Sequence, residues 1–300
     1  MSNLKEIRAR IASVASTEKI TSAMKMVSAA KLKKSERTTL NFLPYKSKLN
    51  EALSNYLGSL DEKVNIPLAE PREPKRIALM AFSSSSGLCG VYNSSISKLF
   101  LSTYNEYANQ LGAENVEVHL FGKKIAEFAQ KNGIQASIHK SVSEELSFEL
   151  ATQLSDQMVE QFLQGRIDRV VMVYNHHKNA GVQQARVETV LPLATQSQDP
   201  KKDQTLDEKA EQKVYDYLVE PSKEEFINAL VPKVIRTLFY GVMLDAMTAE
   251  HGARMTAMHI ASDNAANLLV ELRRDYNHAR QNVITSELID IVGGAEALNN

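Results

Sequence analysis

Leu4, Ile7, Ile11, Val14, Thr17, Ile20, Met24 and Val27 recur every three or four residues, with charged and small polar residues between them. That spacing draws a narrow apolar stripe along a helix, suited to one partner helix rather than to a broad core. No glycine precedes Gly58 and Pro44 is the one proline before it, so the pattern predicts a helix from Leu4 to about Tyr56, begun by Ser2 or Asn3. At the other end, Ser222 and Glu225 follow Pro221 with the spacing of a capping box. An alternation of three and four residues then runs through Leu244, Thr248, His251, Met255, Met258, Ser262, Ala265, Leu269, Leu272, Tyr276, Ala279 and Val283. Such a heptad seam favours a left-handed supercoil. It is built thin: Thr248, His251, Ser262 and Ala265 stand where Leu or Ile would bind best.

The middle of the chain changes period. Arg76–Phe82 reads as a buried strand after the Pro67, Pro71 and Pro74 linker, and Ser83–Gly90 is a loop leading into a helix through Ile96, Leu99, Phe100 and Tyr104. Val116–Phe121 is a second strand, followed by a helix over Lys123–Lys131 and a short strand over Ile134–His139. A helix over Glu144–Leu163 and strands over Asp168–Tyr174 and Ala185–Leu193 complete the set. Strands alternating with helices imply a largely parallel sheet with right-handed crossovers. Residues 196–213 are almost wholly polar and read as a flexible loop.

Length decides the arrangement of the ends. About 60 helical residues make a rod of roughly 90 Å, whereas a middle domain of about 145 residues is roughly 40 Å across. The C-terminal helix is too long to hide within that domain, and the N-terminal helix offers a matching stripe. The chain is therefore expected to be α/β, with a long antiparallel coiled coil of its end helices (residues 1–58 and 222–292) and a central Rossmann-like domain over 75–195.

Composition adds a charge asymmetry. The formal net charge is −1, but residues 1–48 hold eleven Lys and Arg against three Glu. A basic arm on an otherwise acidic protein implies an acidic partner. The lone cysteine, Cys89, excludes an intrachain disulfide and a cysteine metal cluster, and suits a reducing compartment. No run of about 18 apolar residues suggests a membrane span, and the first thirty residues lack the apolar stretch of a secretory signal.

Candidate chemistry is sparse. The SSSSGLCG loop sits where open α/β sheets bind ligands, so a small-ligand- or nucleotide-binding enzyme using Ser83–Gly90 is one reading. The loop lacks the Lys-Ser/Thr pair of a P-loop and the spacing of a dinucleotide fold, and a tight strand-to-helix turn is the preferred reading. Cys89 is read as a small buried thiol, and His176 and His177 as surface residues. Asp275 and His278, three apart on one helix face, are read as a local charge contact rather than half of a metal site. Neither H-E-x-x-H nor G-x-S-x-G occurs. The basic N-terminal helix could grip phosphates but has little aromatic interleaving, and its Ile, Val, Met and Ala stripe is not that of a membrane-surface helix.

Three segments carry a resemblance. IRARIASVASTEKITSAMKMVSAAKL (Ile7–Leu32) resembles the N-terminal helix of F-type ATP synthase gamma subunits. ARMTAMHIASDNAANLLVELRRDYNHARQNVITSELIDIVGGAEAL (Ala253–Leu298) is similar to their C-terminal helix, and GLCGVYN (Gly87–Asn93) falls at their Gly-Leu-Cys-Gly turn. The resemblance spans the whole chain and implies a central rotor, of bacterial type or an organelle form without its presequence. Its coiled coil would sit inside a ring of alpha and beta subunits, and its α/β domain would rest on the c-ring beside the epsilon subunit. It implies no catalytic residue, cofactor, metal or nucleic acid, and a place on the cytoplasmic face of the inner membrane through the complex alone. By match to the family's motifs, Met24 and Lys25 would lie near an acidic lever loop of a beta subunit. Arg280 and Gln281 would meet a beta catch loop, with Arg254 and Thr285 in the surrounding transmission surface. Where the family usually has an acid and a base before Gly-Leu-Cys-Gly, this chain has Ser85 and Ser86. The extra cysteine pair of the chloroplast redox switch is absent.

Overall fold

The computed structural model describes residues 2–58, 66–193 and 222–298; the polar segment 196–213 lies outside the described residues. The elements in chain order are α1 (Ser2–Gly58), β1 (Ile77–Phe82), α2 (Tyr92–Leu111), β2 (Val116–Phe121), α3 (Lys123–Lys131) and β3 (Ser137–His139). Then follow α4 (Val142–Glu145), α5 (Phe148–Leu163), β4 (Arg169–Asn179), β5 (Val182–Leu191) and α6 (Lys223–Leu298). They form two compact units: Lys31–Ala253, and the chain ends Met1–Ala30 with Arg254–Asn300.

In the Lys31–Ala253 unit, the strand order is β3-β2-β1-β4-β5. β1 pairs in parallel with both β2 and β4, and β2 with β3. β5 returns antiparallel along β4 from a tight connection at Ala180–Gly181. Strands buried on both faces read as continuous apolar runs, and IALMAF of β1 is buried at all six positions. One face, through Ile77, Leu79 and Ala81, packs with Ile96 and Phe100 of α2 and Ile125 of α3. The opposite face, through Ala78, Met80 and Phe82, packs with α5 residues Leu154 and Met158 and with Val234, Ile235 and Phe239 of α6. Here the ring of Phe42 on α1 meets Tyr240, and that of Tyr56 meets Phe226. Numbers rise on α1 as they fall on α6, so the two segments run antiparallel.

The expected helix Glu144–Leu163 is two helices. Ser147 breaks it by taking extended backbone angles and accepting a hydrogen bond from Leu150 N on its side chain. A serine whose hydroxyl can cap gains more at a helix start than inside one. At α6 the capping geometry read from the sequence is made, with Glu225 N donating to Ser222 Oγ at 3.2 Å. One window of α6 reaches a mean hydropathy of 1.3, enough by composition for a membrane span, but 56% of it is buried inside the protein.

In the unit made of the chain ends, α1 residues 2–30 lie with α6 residues 254–298. The α6 seam is the heptad read from the sequence: Met258, Ser262, Ala265, Leu269 and Leu272 are buried, and Met255, Tyr276, Ala279 and Val283 are half-buried. The α1 stripe is corrected. Leu4, Ile7, Ile11 and Val14 are half-buried, but the seam continues through Glu18, Thr21, Lys25 and Ser28, leaving Ile20 at 56% and Val27 at 58% exposure. Alternating steps of three and four from Leu4 lead to those polar positions; following hydrophobicity from Val14 required two successive steps of three and slipped the register. Thr21 is accommodated because its hydroxyl donates to Thr17 O and Glu18 O on its own helix.

Candidate functional site

Three regions could carry chemistry. The first is the Ser83–Gly90 loop, which follows the C-terminal end of β1 between β2 and β4, at the switch point where open α/β sheets bind ligands. The buried polar groups of Ser83 and Ser84 are engaged by the protein itself. Ser83 Oγ accepts from Ile125 N, and Ser141 Oγ donates to Ser83 O. Ser84 N donates to Asn93 Oδ1, and Asn93 Nδ2 donates to Ser84 Oγ at 2.8 Å and to Cys89 Sγ at 3.1 Å. Cys89 is buried at 2% exposure beside Tyr92, Ala249 and Ala253, the small buried thiol expected. Gly122 is required here: its φ is +104°, and a Cβ would come within 2.3 Å of Ser83 O. A nucleotide phosphate held by this loop would have to displace those internal bonds.

The second region corrects the reading of His176 and His177 as surface residues. Both rings are largely enclosed, with side-chain exposures of 31% and 14%. His176 Nδ1 lies 2.5 Å from Asp245 Oδ2, and His177 N donates to Asp245 Oδ1 at 2.8 Å. His177 Nε2 reaches Glu36 Oε1 at 3.4 Å. The end of β4 is thereby tied to α6 and α1, beside a groove of about 530 Å³ that Phe42, Lys46 and Leu244 also line. Nearby, Tyr174 donates to Glu188 Oε2 at 2.7 Å. Burial holds its hydroxyl far above the usual phenol range, and the Glu188 charge adds to the shift. No spacing rule joins residues so far apart in sequence, so Asp245 and Glu36 gave no signal as partners.

On the same sheet's β2–β3 edge, His119 Nδ1 and His139 Nε2 are 3.4 Å apart, and Phe121 stacks on His139. Glu117 Oε1 lies 3.0 Å from His119 Nε2; its angle makes this an electrostatic contact, since that nitrogen has no hydrogen-bond partner. Burial lowers the affinity of His139 for a proton, and the neighbouring His119 charge lowers it further.

The third region is the pair of chain ends, which holds all six residues that the family motifs single out. Met24 and Lys25 are half-buried on α1, and Arg254 is half-buried on α6. Arg280, Gln281 and Thr285 are exposed, with Thr285 Oγ1 donating to Gln281 O at 2.9 Å. Lys25 Nζ meets His259 Nδ1 at 3.3 Å, so Lys25 and Arg280 stand at levels roughly 30 Å apart along α6 at about 1.5 Å per residue. Asp275 and His278 are both exposed. His259 and Asp263 gave no sequence signal beyond their four-residue spacing.

A family model for ATP synthase matches residues 3–298. The ATP synthase gamma chain of Bacteroides fragilis is 44% identical over 299 residues, covering 99% of this chain and all of the relative. That of Flavobacterium johnsoniae is 42% identical over 299 residues, with both chains wholly covered. Among solved structures, a chain of the Euglena gracilis mitochondrial ATP synthase OSCP/F1/c-ring assembly matches with TM-score 0.63 at 18% identity, covering 99% of this chain and 95% of that one. A chain of the Tetrahymena thermophila mitochondrial central stalk and c-ring matches with TM-score 0.56 at 24% identity, over 81% and 99%. At those identities the solved structures speak to the fold, and the fold is the same. With a full-length family match and full-length relatives above 40% identity, the chain belongs to the ATP synthase gamma-chain family.

Proposed function

We propose that this chain is the non-catalytic rotating shaft of its ATP synthase, working on the cytoplasmic face of a bacterial inner membrane. Its paired end helices turn inside a ring of alpha and beta subunits. Its α/β body couples to the c-ring and lies beside an epsilon subunit. Ion flow turns the shaft, and the shaft drives each beta subunit through its nucleotide affinities in turn. Met24 and Lys25 press on an acidic lever loop of a beta subunit, and Arg280 and Gln281 on a catch loop, with Arg254 and Thr285 beside them.

The observation that supports this best is the exposure of Arg280, Gln281 and Thr285 on the stretch of α6 beyond Arg254, where the buried positions form a single thin seam. Polar groups on the outside of a slender rod can push on a surrounding wall without being gripped by it. The basic excess of the first 48 residues suits acidic partners. The engagement of the Ser83–Gly90 loop with its own neighbours speaks against a second reading as a ligand-binding enzyme. The reading is tested by expressing the chain with the alpha and beta subunits of the same organism. It expects a nucleotide-hydrolysing complex with one copy of this chain per three alpha–beta pairs. Isolated chain that hydrolyses ATP, or that fails to join the ring, overturns it.

A further inference from the structure

The His259 ring stands between two opposite charges. Its Nδ1 is 3.3 Å from Lys25 Nζ on α1 and 3.3 Å from Asp263 Oδ2 one turn along α6. Among the described residues, these are the charged groups shown against the ring, one from each helix. A single ring nitrogen carries either a lone pair or a proton. With a lone pair on Nδ1 it accepts from the Lys25 ammonium; with a proton there it donates to the Asp263 carboxylate and repels Lys25. The two contacts are alternatives set by one proton.

We propose that His259 is a proton-dependent brace that positions Lys25. In the neutral ring, Nε2 carries the hydrogen and Nδ1 holds the ammonium against α6. On acidification a solvent proton adds to Nδ1, the Lys25 hydrogen bond breaks, and the new N–H turns to Asp263. No other bond changes. His259 and Asp263 side chains are 55% and 62% exposed, so solvent protons reach them freely. An exposed pair of this kind adds little to stability, so the device alters where the Lys25 charge is held rather than whether the helices pair. Its consequence for rotation rests on the reading that Lys25 meets a beta subunit: acidification frees that charge and changes how hard it presses.

The test has two arms. In the full-length chain with ¹⁵N-labelled histidine, nitrogen shifts report which ring nitrogen of His259 carries the hydrogen at high pH. The proposal expects the Nε2–H form in the parent chain, and a shift toward Nδ1–H in Lys25→Met, where Asp263 is the remaining partner. An Nδ1–H ring in the parent, or no change in Lys25→Met, overturns the brace. In the reconstituted complex, the pH profile of proton-driven ATP synthesis is compared between parent and His259→Gln, whose amide still accepts from Lys25 but cannot take a proton. Releasing a surface contact of this strength alters rates by about twofold, and the acidic limb should be flatter by that factor in His259→Gln. Identical profiles, with the first arm intact, overturn the Lys25 contact with the beta subunit and leave the brace standing.

Discussion

From Ile227 to Ala253, helix α6 buries residues around most of its circumference, among them Ile235, Phe239, Met243, Ala246 and Ala249, each at 0% exposure. From Arg254 onward the same helix buries Met258, Ser262, Ala265, Leu269 and Leu272 and little else, at steps of four and three. The first stretch belongs to a core, where stability grows with apolar area removed from water. The second belongs to a two-helix seam, where few side chains are buried and alignment matters as much as area. The difference teaches how one sequence serves two needs: the core stretch is specified by hydrophobicity, the seam stretch by register.

Core truncation should separate the two most widely. Phe239→Ala should cost about 3–5 kcal/mol, and Leu269→Ala, at 8% exposure in the seam, near the lower end of the roughly 2–5 kcal/mol range for leucine truncation. Urea unfolding followed by near-ultraviolet circular dichroism measures both, and equal costs would erase the distinction.

Register comes next. Ser28 is 3% exposed in the seam whereas Ile20 is 56% exposed outside it. Ser28→Asp buries an unpaired charge and should cost about 2 kcal/mol, while Ile20→Ser should stay within about 0.5 kcal/mol. Thermal melts of the two variants decide it; the reverse order would restore the register that hydrophobicity alone suggests.

Polar ties sharpen the comparison further. Arg236 donates through Nε and a terminal nitrogen to both Asp156 oxygens, at 2.7 and 2.9 Å. With both partners a third or more exposed, a double-mutant cycle through Arg236→Met and Asp156→Asn should give a coupling of about 1 kcal/mol. The same cycle on Lys25 and His259 should give less.

The smallest effect expected is from pH. The folded body lowers the proton affinity of His139, so the unfolded chain binds more protons in acid. The associated stability is present above the ordinary histidine value of about 6.5 and is lost as pH falls below it. Stability curves of His139→Gln should be flatter than the parent's in that window, and a parallel pair of curves would remove His139 from the account.

Much of the architecture was legible because period and length carry it. The α6 heptad, β1, β2, α3 and the Ser222 cap could be read directly, since each depends on neighbours within a few residues. The α1 register was not, because Glu18, Thr21, Lys25 and Ser28 are chosen by the geometry of the pair and not by their own polarity. The break at Ser147 was hidden because Leu146, Leu150 and Leu154 keep helical spacing across it. His176 and His177 looked exposed because Asp245 and Glu36 lie about 70 and 140 residues away in the chain. Of the candidate site, the motif residues could be placed on helices from sequence, but the pairing of Lys25 with His259 needed the fold.

The central claim is that the exposed face of the α6 seam stretch transmits torque while the body supplies none of the chemistry. It is tested most directly by Arg280→Ala combined with Gln281→Ala in the reconstituted, membrane-embedded complex. The account predicts that the ring assembles and the isolated chain melts as the parent does, while ion-driven ATP synthesis falls by about tenfold, the equivalent of about 1.4 kcal/mol. Parent-level synthesis in that double variant would contradict it.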